Sequence, residues 1–251
     1  MKWLLNFFPR AFLIRMSLIF QPILRIYFYG NKFIDPIDGS RYRKFLPYGY
    51  GEQLRPNALC PGTLSLERHR LLWLYLDRDT SLLKDELKVL HVAPEQIFYK
   101  IFKRYKHWNY TTTDLYSPLA DVVADICDLP FEDQTYDLIL CNHVLEHIPD
   151  DLKAMNELYR VLKKGGKLIA QVPIDGNLEK TYEDKSFTDP KERNRLFGQY
   201  DHVRVYGEDY YLRLESVGFS FIKVDFQKTL TKEEVNQFAL PQNDQIPVMI
   251  K

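Results

Sequence analysis

The chain has 251 residues, 34 basic and 34 acidic, and a formal net charge of zero. That length allows one large α/β domain with a small appendage, and the charge balance excludes a protein that works by long-range attraction to a nucleic-acid backbone. Three cysteines, Cys60, Cys127 and Cys141, exclude a disulfide framework, since two fall in predicted core elements; a reducing cytoplasm is the expected setting.

The charge is uneven along the chain. The first 34 residues hold Lys2, Arg10, Arg15, Arg25 and Lys32 and no acid, leaving 29 basic against 34 acidic residues in the remainder. Residues 1–33 are rich in Trp, Leu, Phe and Ile, but their longest uncharged run, Met16–Leu24, is far short of the ~20 apolar residues of a membrane-spanning helix. No small-residue cleavage site follows, so a secretory signal is not expected. Two readings of this arm stay open: a basic apolar helix lying peripherally on a membrane, and a helical arm packed on the body or used for self-association.

Residues 34–63 are rich in Pro, Gly and Tyr and predict a small hairpin unit with long turns. Asp35-x-x-Asp38 and Cys60-x-x-Thr63 stand at the spacing of two ligand pairs, but a structural zinc site needs four Cys or His ligands. Ser65 opens a helix with Leu66, Leu71, Leu72, Leu74, Tyr75 and Leu76 on its apolar face. From Leu87 strand and helix alternate to about residue 228, the pattern of a parallel sheet with crossover helices. Leu87–Val92, Tyr110–Asp114, Tyr136–Cys141 and Lys167–Pro173 are predicted strands, and Gly165-Gly166 is predicted to stop the helix before the last. Residues 174–207 have no clear periodicity and predict a long functional loop.

The chemistry gathers at the strand ends. Asp114 closes a strand where an acidic side chain receives the ribose hydroxyls of an adenosine-containing ligand; Asp114-Leu115 is equally a good turn start. Asp125-Ile126 offers a carboxylate and a backbone N–H for an adenine edge, with Leu115 or Ile126 for the ring face. Asp128-Leu129-Pro130-Phe131 is a tight turn, and Asn142 and His143 follow the next strand.

The block from Asp125 to His147, with its DLPF turn, resembles the class I S-adenosylmethionine-dependent methyltransferases of the type 11 group. The resemblance covers about residues 65–251. It implies a doubly wound, Rossmann-like seven-stranded α/β sheet with helices on both faces, as a domain over 64–251. It also implies S-adenosyl-L-methionine as cofactor and a degenerate zinc-ribbon-like segment at 34–63. His91, Ala93 and Glu95 stand where the family carries an acidic residue and a Gly-x-Gly turn; with Asp114, Leu115, Asp125, Ile126, Asn142 and His143 they make up the expected cofactor site.

His202, in the phrase FGQYDHVRVYG, is the expected general base, because an oxygen nucleophile has a proton to lose. The expected activity is methyl transfer to a small-molecule or glycan-like acceptor, at oxygen, with no nucleic-acid partner. No metal site is expected: Asp125, Asp128 and Asp137 match no metal loop, and His143 and His147 lack a third ligand. A catalytically inactive module of the same fold is the alternative. A nicotinamide-dinucleotide enzyme is disfavoured, since Gly-x-Gly-x-x-Gly is absent.

Overall fold

The computed structural model describes residues 21–49, 54–117, 120–241 and 244–251. The expectation for residues 1–33 falls mostly outside them. The described residues form two compact units, those from 21 to 83 with those from 225 to 244, and those from 84 to 224 with 245–251.

In the first unit, β1 (Tyr29–Ile34) pairs antiparallel with β2 (Arg41–Tyr42), and β3 (Leu46–Tyr48) with β4 (Arg55–Leu59). The two candidate ligand pairs fold into matching turns. Asp35 N–H donates to the Ser40 carbonyl and Gly39 N–H to that of Asp35; Cys60 N–H donates to Ser65 and Leu64 N–H to Cys60. Gly39 (φ 71°) and Leu64 (φ 62°) occupy the same left-handed position. The hydroxyls of Thr63 and Ser65 both donate to the buried Asp35 carboxylate. Arg70, fully buried on the helix Glu67–Arg78, donates to the carbonyls of Ala58, Ser65, Phe238 and Ala239. Carbonyls and a nearby carboxylate thus replace the water that a buried guanidinium loses.

The second unit is built on one seven-stranded sheet. Its strands are β5 (Leu87–Val92), β6 (Trp108–Asp114), β7 (Val122–Val123), β8 (Tyr136–Cys141), β9 (Leu162–Ile169), β12 (Ser220–Ile222) and β13 (Val248–Ile250), in the order β12-β13-β9-β8-β5-β6-β7. The five from β5 to β9 run parallel, whereas β13 is antiparallel to β9 and β12 to β13. Near-continuous apolar runs such as VLHV and LILC are what strands covered on both faces require. Chain order reverses beside β5, whose neighbours are β6 and β8, so the ligand crevice of such a sheet lies beyond the carboxyl ends of β5 and β8.

The helix Asp151–Val161 is capped by Asp150, which accepts from Lys153 N–H, and buries Ala154, Met155, Leu158 and Val161. Each large apolar side chain so buried contributes about 1.5–3 kcal/mol. Gly165-Gly166 does not stop this helix. The chain turns extended at Leu162, and the glycines lie inside β9, where the register against β8 shifts between Tyr136 and Leu138. Gly165 takes φ 78° within that irregularity, where residues 163–166 stand against Asp137 alone.

The long segment 174–207 is also not a structureless loop. It contains β10 (Tyr182–Glu183) paired with β11 (Arg204–Val205), and a helix Pro190–Phe197 capped by Asp189 and closed by Gly198 at φ 81°.

Candidate functional site

At the end of β5 the chain must turn away from the sheet within a few residues. Ala93 does so at φ 47°, with its N–H donated to the Thr113 carbonyl at 2.8 Å. This is the left-handed region that a glycine would enter without strain. The alanine thus takes a conformation that the expected glycine would enter freely. Across the switch point, the residue two beyond β8's last does the same: His143 sits at φ 54°, its N–H donated to the Gln171 carbonyl at 2.7 Å.

His91 is where the expectation needs correcting. It has no exposed surface, and both ring nitrogens are engaged: Nδ1 with the Tyr110 hydroxyl at 2.7 Å and Nε2 with Glu95 Oε2 at 2.6 Å. A side chain so enclosed cannot touch a ligand. It holds Glu95, which caps the helix Gln96–Phe102, and the Phe102 ring lies beside it with Phe98 stacked on Phe102. Ile126 is likewise 5% exposed and belongs to the main core with Leu90, Val92 and Leu129, so Leu115, 45% exposed beside Asp114, is the apolar side chain left for a ring face.

Asp114 Oδ1 accepts from Tyr116 and Ser117 N–H at 2.7 and 2.6 Å. The turn reading of Asp114 is therefore realised, and Oδ2 has no hydrogen bond among the described residues. Asp125, exposed, closes its own turn by accepting from Cys127 N–H at 2.8 Å. Asn142 is buried; its Oδ1 accepts from Gln171 N–H at 3.1 Å, and its Nδ2 has no partner. A buried amide donor left open costs free energy unless something fills the place, so this atom is a fit for an absent ligand.

The DLPF turn is fixed from the helix behind it. Glu157 accepts the Leu129 N–H, while Arg160 donates to the carbonyls of Leu129 and Phe131 and to Asp133. The hydrogen bond from Arg160 holds the Glu157 carboxyl below its usual range.

Beyond Asn142 the chain makes a short 3-10 turn, Leu145–His147, before the helix at Asp151, rather than entering the helix directly. Folded against that turn is the strip 199–206. Val203 N–H donates to the Glu146 carbonyl at 2.9 Å, and His147 Nδ1 meets the Asp201 carbonyl at 3.2 Å. Arg204, buried, donates to the carbonyls of Leu145, Ile148 and Pro149 and to Glu183. It is a clamp between strip and turn, and has no donor left for a substrate anion.

His202 is thereby brought edge to face against His147, ring centroids 4.7 Å apart, with its Nδ1 on the Phe197 carbonyl at 3.0 Å. Burial pushes His202 below the usual imidazole range. One donor atom each from Glu146, His147 and His202 lies within 4.8 Å of the others. The third partner that sequence spacing did not reveal is thus 55 residues away, and no local signal marks it.

Residues 87–170, which carry β5 to β9 and every candidate cofactor residue, match the model of a methyltransferase domain. This stretch is a methyltransferase domain. S-adenosylmethionine is the cofactor of that class, and the open Asn142 amide, the close backbone turn at Ala93 and the Asp114 carboxylate fit it. An uncharacterized protein of Methanocaldococcus jannaschii is 46% identical over 70 residues, 28% of this chain and 29% of that one. A ubiquinone/menaquinone biosynthesis C-methyltransferase of Ruegeria is 32% identical over 127 residues, 42% of this chain and 50% of the relative. The methyltransferase match thus spans half or less of these relatives' length. Among solved structures, the cyclase SpnF aligns with a TM-score of 0.51 at 16% identity, covering 89% of this chain and 79% of that one. That likeness is one of fold, and fold alone does not set a reaction.

Proposed function

We propose that this methyltransferase domain transfers a methyl group from S-adenosylmethionine to a small-molecule acceptor bearing a hydroxyl. The observation that carries the reading is the pair of left-handed turns, Ala93 and His143, following adjacent strands at the switch point, with the unpartnered Asn142 amide at the end of β8. When bound, the cofactor supplies an electrophilic methyl on a sulfonium, and the chain's task is to bind and align. Asp114 accepts the ribose hydroxyls, Asp125 and the Ile126 N–H take the adenine edge, and Leu115 packs on its face. Asn142 donates toward the methionine portion, and Glu95, held by His91, accepts from its amino group. His202, uncharged at neutral pH and anchored through Nδ1, keeps the Nε2 lone pair to take the proton of an acceptor hydroxyl.

Transfer to oxygen is the favoured reading. Similarity to relatives named as C-methyltransferases supports a second, in which deprotonating the hydroxyl activates a ring carbon. Calorimetric titration with S-adenosylmethionine and S-adenosylhomocysteine, followed by an acceptor screen read by mass spectrometry, tests both. Saturable binding weakened in Asp114→Ala supports the reading. Folded protein that binds neither ligand would leave the inactive module as the function.

A further inference from the structure

Glu146, His147 and His202 are arranged as a ligand set rather than as a closed hydrogen-bond network. A backbone carbonyl can only accept, so the contacts of His147 Nδ1 with Asp201 O and of His202 Nδ1 with Phe197 O each place the proton on Nδ1. Both Nε2 atoms then carry a lone pair, and neither has a hydrogen bond among the described residues. Histidines that bind metals are oriented in this way, with the second nitrogen tied to a carbonyl or carboxylate. Glu146 is 2% exposed; its Oε1 lies 3.2 Å from His143 Nδ1, while Oε2 is buried with no partner. A buried carboxylate oxygen with nothing facing it is costly in a protein interior.

We propose that Glu146, His147 and His202 bind one divalent transition-metal ion, through Oε2 of the glutamate and Nε2 of each histidine. Two donors at about 2.1 Å from one ion are at most about 4.2 Å apart. One donor atom of each of the three residues already lies within 4.8 Å of the others, so side-chain adjustments of about an ångström suffice to gather the three around one ion. Two imidazoles and one carboxylate suit zinc and the neighbouring first-row ions and disfavour calcium and magnesium, which take oxygen donors. Three protein donors leave coordination positions open, as in catalytic rather than structural sites. Resting on the methyltransferase reading above, an acceptor hydroxyl is the ligand class that fits those positions. A bound ion would take the His202 lone pair and lower the pKa of a coordinated acceptor hydroxyl, whose proton would then pass to solvent instead of to the histidine.

The test uses the untagged full chain, dialysed against a chelator and titrated separately with zinc chloride and cobalt(II) chloride, with S-adenosylmethionine binding measured on the same samples. One ion per chain is expected, with a cobalt absorption band for nitrogen and oxygen ligands. Affinity is expected to fall about tenfold or more in Glu146→Gln and in His202→Ala, while both variants stay folded by circular dichroism and still bind S-adenosylmethionine. His147→Asn serves if either variant unfolds. No saturable uptake by the wild-type chain, or uptake unchanged in the variants, overturns the proposal. Metal binding without S-adenosylmethionine binding would overturn the methyltransferase reading and leave the metal site standing.

Discussion

Ala93 stands in the left-handed region although it is not a glycine. The turn after β5 needs a left-handed residue, and an alanine can take φ 47° at a cost of roughly 1–2 kcal/mol. Ala93→Gly is therefore expected to leave stability unchanged or raise it slightly, since relief of strain is offset by glycine's greater unfolded-state entropy. Ala93→Val, adding a branched Cβ, should destabilise by roughly 1–2 kcal/mol. Urea denaturation of both variants checks the pair, and a valine as stable as wild type would contradict the strain argument. Asp114 does two jobs with two oxygens, closing a turn with Oδ1 and leaving Oδ2 open. Asp114→Ala should weaken S-adenosylmethionine binding by about 10- to 100-fold, the worth of a charge-assisted hydrogen bond. Asp114→Asn, which keeps an acceptor for the turn, should lose less. The acidic residue was legible because it follows a β-branched run; the enclosure of His91 was not, because Tyr110 and Glu95 reach it only once strands pair and the helix docks.

At the scale of elements, apolar runs located β5 and β8 because their side chains meet core on both faces. They failed for the segment 174–207, where order comes from polar contacts. The strip carrying His202 is fastened by Arg204, whose guanidinium satisfies the carbonyls of Leu145, Ile148 and Pro149 and meets Glu183. Arg204→Ala would leave three carbonyls without their donor while Arg213 keeps its bonds to Asp151, a loss of roughly 3–5 kcal/mol. Arg204→Lys should recover only part of it, as an ammonium cannot span the same fork of acceptors. Thermal melts read the stability, and limited proteolysis within 174–207 reads release of the strip. Equal protease resistance in Arg204→Ala and wild type would show that other contacts hold it. The double glycine at 165–166 misled for a related reason: a helix stop and a strand irregularity both use positive φ, and only the register of β9 against β8 tells them apart.

For the molecule as a whole, the buried titratable groups set a pH window. His202 is held below its usual 6.5 by burial, so the unfolded chain binds the proton more readily. Its contribution is complete above about pH 6.5 and lost as pH falls through the depressed native value. Glu146 and Glu157, both below their usual 4.5, add a second loss on further acidification. On the alkaline side, burial pushes Cys60 from 9.0 to about 12; its contribution is present below pH 9.0 and lost as pH rises through the native value. Melting temperature is expected to be highest between about pH 6.5 and 9, falling on both sides, with a shallower acid limb in Glu157→Gln. A melting temperature still rising below pH 5 would contradict these assignments.

The sequence by itself determined the sheet and the class of cofactor. Those depend on local patterns: apolar runs of strand length, acidic residues at their ends, and a DLPF turn. Tertiary structure decided which polar groups meet. It enclosed His91 and assigned Arg204 to a clamp. It also joined His202 to Glu146 and His147, contacts separated by some 55 residues whose geometry exists only when the strip folds onto the turn after β8.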